Sequence, residues 1–121
     1  MKALICDDDP IVLKVIQIAL QEEGLDTTTA RDGDEALPLL DSIPRFDLLV
    51  TDIHMPYYNG DIILQAVREK DKTIPIIMIS SDADEDVIKM ALKLGVSEFL
   101  SKPVDPNTLK SKVRKVLNTR K

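Results

Sequence analysis

Acidic side chains stand at two points where an apolar run ends. Asp7 and Asp8 follow the run "ALIC", and Asp52 closes the run "LLVTD". A hydroxyl and an ammonium stand at equivalent points, with Ser80 after "IIMI" and Lys102 after "FLS". Carboxylates held close together repel one another unless a cation is present, and oxygen ligands with room for water suit Mg²⁺. This set of groups predicts a site for magnesium and an anion.

The same groups could carry out phosphoryl chemistry. A carboxylate beside a divalent cation can attack phosphorus and form an acyl phosphate, and Asp52 is the best-placed nucleophile. Lys102 suits the neutralisation of phosphoryl oxygens, and Ser80 can donate a hydrogen bond to one of them. Taken alone, Asp7 or Asp8 would more often be a solvated turn residue. The joint placement at strand ends is what favours a metal and anion site.

The elements that must hold these residues are five short apolar runs, each followed by a helical pattern. Strands are predicted over "KALICD", "LDTTTA", "FDLLVTD", "IPIIMIS" and "SEFLS". Helices are predicted over "PIVLKVIQIALQEEG", "DGDEALPLLDSI", "GDIILQAVREKD", "DEDVIKMALKLG" and "DPNTLKSKVRKVLN". Strands without polar alternation, each followed by a helix, indicate a parallel sheet covered on both faces. In such α/β folds the site lies at the carboxyl ends of the strands.

Several residues are predicted to begin, end or interrupt the helices. Asp9 is expected to cap the first helix rather than bind metal, with Pro10 at the first helical position and Gly24 at the end. Asp105 is expected to cap the last helix. Pro38 should be tolerated only if it lies in the first turn of the second helix.

The length of 121 residues predicts a single domain over residues 1–121, and the composition is that of an ordinary globular protein. The 21 acidic and 16 basic residues give a net charge of −5, which disfavours nucleic-acid binding. Cys6 is the only cysteine and is expected to be inert core, so a cytoplasmic setting is expected. The single histidine, His54, cannot build a zinc site. No apolar run is long enough for a membrane span.

Four motifs in this order, "DDD", "DLLVTDIHMPYYNG", "PIIMISS" and "FLSKP", resemble the receiver domain of response regulators in two-component signalling. The resemblance covers essentially the whole chain. It implies a flavodoxin-like, doubly wound fold, with a five-stranded parallel sheet in the order 2-1-3-4-5 and helices on both faces. It also implies a signalling switch, not an enzyme, that catalyses its own phosphorylation and dephosphorylation.

The resemblance assigns a role to each matched residue of the metal and acceptor site. Asp52 corresponds to the phospho-acceptor, which takes the phosphoryl group from a phosphohistidine. Asp8 corresponds to a direct Mg²⁺ ligand and Asp7 to a ligand through water. Asp52 and the backbone carbonyl of His54 complete the ligands of Mg²⁺, the implied cofactor.

The resemblance also assigns the residues of the switch. Ser80 corresponds to the hydroxyl that turns toward the phosphoryl group, and Lys102 to the lysine of the family, with a cis bond expected between Lys102 and Pro103. Phe99 stands at the aromatic switch position. The implied partners are a sensor histidine kinase or a histidine phosphotransfer protein. A homodimer or an output partner is expected on the surface of helix four, strand five and helix five.

Two surface patterns add to these expectations. Ile11, Val15 and Ile18 form a surplus apolar stripe on the first helix, which either docks a kinase or is buried by neighbouring helices. The last helix carries a basic run, "LKSKVRKVLNTRK", which is typical of a solvated face and could also join the partner surface.

Other functions fit the same groups less well. A Mg²⁺-dependent phosphohydrolase with an aspartyl-phosphate intermediate would use the same residues, but would also need a substrate pocket and usually a second acid near Asp52. A flavin or nucleotide site is disfavoured because no glycine-rich loop follows the first strand. An inactive receiver is disfavoured because every matched acidic, hydroxyl and lysine position is retained.

Overall fold

The computed structural model describes residues 1–41, 46–52, 60–70, 73–81, 85–93 and 95–120. Strands and helices alternate along these segments, as the sequence predicts. The strands are β1 (Lys2–Cys6), β2 (Asp26–Ala30), β3 (Leu48–Asp52), β4 (Ile76–Ser80) and β5 (Glu98–Ser101). The helices are α1 (Pro10–Glu22), α2 (Gly33–Asp41), α3 (Gly60–Lys70), α4 (Glu85–Lys93) and α5 (Pro106–Arg120). Within the described segments, no helix is both long and apolar enough to cross a lipid bilayer.

The strands form one parallel sheet in the order β2-β1-β3-β4-β5. The expected fold class and strand order are therefore confirmed. The chain runs from β1 outward to β2 and then returns to the other side of β1 to form β3. This reversal lies between the carboxyl ends of β1 and β3, which is where open α/β sheets form their binding crevice.

Helices cover both faces of the sheet. The core residues Ile5 and Val50 face α1 and α5, whereas Leu4 and Leu49 face α2, α3 and α4. Neighbouring residues of one strand point to opposite faces, so both sets must be apolar when both faces are covered. This is why the strands are visible in the sequence as continuous apolar runs.

The helix caps agree with the sequence. A side-chain oxygen of Asp9 accepts hydrogen bonds from two backbone N–H groups of the first turn of α1, at 2.9 and 3.4 Å, and Pro10 is the first helical residue. Asp105 accepts from a backbone N–H of the first turn of α5 at 3.1 Å. Gly24 follows α1 with φ +85°, a left-handed conformation that costs glycine little. Asp9 is thus confirmed as a helix cap.

Pro38 stands in the second turn of α2, because that helix begins at Gly33. The expectation that this proline must lie in the first turn is wrong. Proline cannot donate a hydrogen bond to the carbonyl four residues earlier, which belongs to Asp34. The helix nevertheless continues to Asp41, and Asp34 is exposed to solvent.

The surplus apolar stripe of α1 lies on the surface. Ile11 is 75% exposed and Ile18 is 45% exposed, and Val15 between them is half-buried. The opposite side of α1 is in the core, where Ile16 and Leu20 are buried. The interpretation that neighbouring helices bury the stripe is therefore wrong, and α1 presents apolar surface to solvent.

The basic residues of α5 are partly neutralised by acidic residues at the end of α1. Lys110 Nζ lies 3.3 Å from a carboxylate oxygen of Glu22, and the Arg114 guanidinium makes two hydrogen bonds to the Glu23 carboxylate. The hydrogen bonds from Arg114 hold the pKa of Glu23 below its usual range. These contacts join α5 to α1, so this part of α5 is not a free basic strip.

Glu98 of β5 neutralises two further basic residues of α5. Its carboxylate lies 2.8 Å from Lys115 Nζ and 3.2 Å from Lys112 Nζ. The hydrogen bond from Lys115, followed by that from Lys112, keeps the pKa of Glu98 below its ordinary value. Glu98 therefore ties α5 to the edge strand of the sheet.

Candidate functional site

The ends of four strands bring the predicted site residues to one edge of the sheet. Asp7 follows β1, Asp52 is the last residue of β3, and Ser80 is the last residue of β4. Lys102 follows β5, and its backbone N–H donates to the Ser80 carbonyl at 2.9 Å. Because all the strands are parallel, these carboxyl ends share one edge, and Asp8 lies beside Asp7 at the same edge.

Asp7, Asp8 and Asp52 form a compact carboxylate cluster. Each residue offers one carboxylate oxygen, and these oxygens all lie within 4.8 Å of one another. Asp7 is fully buried and Asp52 is 4% exposed, whereas Asp8 is exposed to solvent. Three hard oxygen ligands with one side open to water are a donor set that suits Mg²⁺.

The geometry of Asp7 leaves capacity for a cation. Its Oδ1 accepts a hydrogen bond from the Asp9 backbone N–H at 2.8 Å, which fixes the orientation of the carboxylate. Its Oδ2 lies 3.1 Å from Lys102 Nζ, but no described residue makes a well-aligned hydrogen bond to that oxygen. Burial raises the pKa of Asp7, and the contacts with Asp9 and Lys102 only partly offset this. A cation at Oδ2 would stabilise the ionised form, so the residues present fit a bound metal.

Lys102 supplies positive charge to two carboxylates. Its Nζ donates a hydrogen bond to Asp52 Oδ2 at 2.8 Å and forms the 3.1 Å ion pair with Asp7. Burial lowers the pKa of Lys102, but its contacts with Asp52 and Asp7 together hold that pKa above its ordinary value. The ammonium is therefore charged at neutral pH. The Lys102–Pro103 bond is cis, as the resemblance to receiver domains implied.

The residues expected to form the switch lie on β4 and β5. Ser80 is fully buried at the end of β4, at the same edge as Asp52. Phe99 is half-buried and packs against the core cluster on the face covered by α2, α3 and α4. Phe99 therefore lies on the same face of the sheet as α4.

Three further residues complete the comparison with the sequence. His54 lies outside the described residues, so its expected role as a carbonyl ligand stays a prediction. Cys6 is fully buried, and burial raises the pKa of its thiol to about 12, which agrees with inert core. Thr51, a buried polar residue directly before Asp52, was not among the residues predicted for the site. A hydroxyl inside an otherwise apolar strand was the signal that could have identified it.

A family profile for the response regulator receiver domain matches residues 3–114, which is most of the chain. The chain belongs to this family. It is therefore a receiver domain of the two-component signalling class, as the motifs at the strand ends predicted.

The relatives of this receiver domain differ in length. It is 40% identical over 119 residues to the chemotaxis protein CheY of Pseudomonas aeruginosa, a match that covers 96% of this chain and 95% of that protein. It is 38% identical over 119 residues to the response regulator protein PilR of the same species, covering 98% of this chain and 26% of PilR. The receiver domain thus spans nearly all of CheY but about a quarter of PilR.

Solved structures support the same assignment. A CheY-like response regulator receiver domain protein from Methanospirillum hungatei superposes with a TM-score of 0.92 at 26% identity. The superposition covers 98% of this chain and 94% of that chain. The similarity of the two structures therefore extends over nearly the whole fold.

Proposed function

We propose that this receiver domain is a phosphorylation switch in which Asp52 accepts a phosphoryl group from a phosphohistidine, in a reaction that requires Mg²⁺. The surroundings of Asp52 support this most strongly. Its carboxylate is nearly buried and lies 2.8 Å from the Lys102 ammonium. One of its oxygens lies within 4.8 Å of a carboxylate oxygen of Asp7 and of Asp8. Positive charge placed there lowers the repulsion between the carboxylate and an incoming phosphoryl group. Asp7, Asp8 and Asp52, with the backbone carbonyl of His54, are the proposed protein ligands.

In the proposed reaction, a carboxylate oxygen of Asp52 attacks the phosphorus atom of the phosphohistidine. An O–P bond forms and the P–N bond breaks, and the leaving imidazole takes the electron pair and a proton from solvent. Mg²⁺, when bound, supplies positive charge to the carboxylates and to the transferred oxygens. The Lys102 ammonium, which contacts Asp52 before the reaction, neutralises one phosphoryl oxygen. The Ser80 hydroxyl donates a hydrogen bond to a second phosphoryl oxygen.

The proposed output is a shift between two arrangements of the surface made by α4, β5 and α5. Phosphorylation replaces the Asp52 carboxylate with an acyl phosphate that carries about −1.5 to −2 of charge, which draws Ser80 and Lys102 toward it. The segment after Ser80 leads to α4, which carries the exposed apolar residues Ile88 and Leu92. Phe99 is proposed to rotate with this change. Because phosphorylation only biases an existing equilibrium, the unphosphorylated protein retains a basal active population.

We assign the proposed partners to two surfaces of the domain, one on α1 and one formed by α4, β5 and α5. A sensor histidine kinase or a histidine phosphotransfer protein is the proposed donor, and the exposed stripe of α1 is its proposed docking face. A homodimer or an output partner is proposed on the surface of α4, β5 and α5.

Replacing Val15 with lysine should slow transfer from a phosphohistidine donor but not from acetyl phosphate. Equal loss with both donors would contradict docking on α1.

Labelling with a small phosphodonor tests the acceptor directly. The protein is incubated with acetyl phosphate and Mg²⁺, and the modified residue is mapped by mass spectrometry. We expect one phosphoryl group on Asp52, no labelling of Asp52→Asn, and no labelling after chelation of Mg²⁺. Asp34→Asn, which changes an exposed carboxylate on α2, is the matched control and should be labelled normally. Labelling that persists in Asp52→Asn would refute the assignment. Steady turnover of a phosphate ester would instead favour the phosphohydrolase.

A further inference from the structure

Buried polar side chains are few in this protein. Within the described segments, the polar or charged residues that are buried are Asp7, Thr51, Asp52 and Ser80. Three of these are groups of the candidate site. Thr51 is the fourth, and neither the family resemblance nor the proposed reaction gives it a role.

A buried hydroxyl needs a reason, because valine has nearly the same shape and no polar atom. Burying a hydroxyl without a hydrogen bond destabilises a protein, because the group loses its hydrogen bonds to water. The preceding residues of β3, Leu48, Leu49 and Val50, are all apolar and buried. Packing alone would therefore favour an aliphatic residue at position 51.

The Thr51 hydroxyl makes a specific contact with the acceptor residue. Its Oγ1 donates a hydrogen bond to the backbone carbonyl of Asp52 at 3.0 Å. On the adjacent strand, Cys6 is the register partner of Thr51, and its thiol contacts the Thr51 side chain. The 3.0 Å hydrogen bond thus links the buried hydroxyl directly to the backbone of the acceptor residue.

We propose that Thr51 is a positioning residue for phosphoryl transfer, whose hydroxyl holds the Asp52 backbone so that the carboxylate stays in line with Lys102 and the metal ligands. Asp52 is the last residue of β3, and its register partner on β4 is Ile79. A hydrogen bond to its carbonyl oxygen limits rotation about the Cα–C bond. A displacement of about 1 Å at a reacting group can slow a reaction markedly. The kinetic part of this inference rests on the proposed acceptor role of Asp52.

Two substitutions separate the hydroxyl from the methyl group. Thr51→Val keeps the shape and loses the hydroxyl, whereas Thr51→Ser keeps the hydroxyl and loses a buried methyl group. Loss of one neutral hydrogen bond predicts that acetyl phosphate labels Thr51→Val about fivefold more slowly than the wild type. Thr51→Ser should be labelled within about twofold of the wild-type rate, although urea should unfold it more easily. A purely structural role predicts the opposite order of rates.

A measurement without a phosphodonor makes the inference independent of the labelling reaction. The ¹³C resonance of the Asp52 backbone carbonyl, read by NMR in Mg²⁺-free protein, reports on the hydrogen bond. It should move in Thr51→Val and stay near the wild-type position in Thr51→Ser. An unchanged resonance in Thr51→Val, wild-type labelling of that variant, or equal slowing of both variants would overturn the inference. If the wild type takes no label at Asp52, the proposed function fails, and the resonance still decides whether Thr51 positions that residue.

Discussion

Replacing Lys102 with methionine tests the electrostatics of the carboxylate cluster. The change removes the ammonium, which lies 2.8 Å from Asp52 Oδ2 and 3.1 Å from Asp7 Oδ2, and keeps most of the apolar stem. At such distances the gross Coulomb attraction is roughly 5–6 kcal/mol per contact with an effective dielectric constant of about 20. Desolvation of the ammonium offsets much of this attraction. Breaking a buried pair costs about 3–5 kcal/mol, and we expect the lower end, about 3 kcal/mol, because Lys102 remains 18% exposed.

Urea unfolding at pH 7 measures this loss. Mg²⁺ should stabilise Lys102→Met more than it stabilises the wild type, because a dication replaces the missing charge. The pKa of Lys102 is raised in the folded protein, so its contribution is complete below its ordinary pKa of about 10.4 and is lost as the pH rises through the raised value. Lys110→Met is the control, and should cost less than about 1 kcal/mol because its partner Glu22 is exposed. Wild-type stability of Lys102→Met at pH 7 would refute the reasoning.

Three further substitutions test other parts of the structure. Burial raises the pKa of Asp7, so its ionised form destabilises the fold as the pH rises above about 4. Asp7→Asn should therefore resist urea better than the wild type at pH 7 without Mg²⁺. Mg²⁺ should add little stability to this variant. Lys115, and then Lys112, lower the pKa of Glu98, so its contribution is present above about pH 4.3 and is lost as the pH falls through the lowered value. Glu98→Gln should thus lose about 0.5–1 kcal/mol at pH 7, and its urea midpoint should approach that of the wild type in acid; a constant difference down to pH 2 would contradict this. Asp9→Ala should lose about 1 kcal/mol through the missing helix cap, whereas Asp9→Ser should retain most of the wild-type stability in the same assay.

Much of the fold could be predicted because local rules and tertiary structure agree here. A strand covered on both faces is apolar throughout, so its polar end is visible in the sequence, as at Asp52. The helix cap at Asp9 and the glycine after α1 are also local features. The proline in α2 shows where local reasoning failed, because the helix continues through Pro38 although this residue has no N–H group to donate.

The sequence alone determined which residues share the carboxyl edge of the sheet, because parallel strands bring their ends together whatever the separation along the chain. It could not decide that Asp7 is buried while Asp8 is exposed, since the two are identical and adjacent. It also could not show that Lys102 contacts Asp7 as well as Asp52, or that the Thr51 hydroxyl contacts the acceptor. Burial and charge pairing depend on groups from distant parts of the chain, and only the packed tertiary structure brings those groups within a few ångströms of one another.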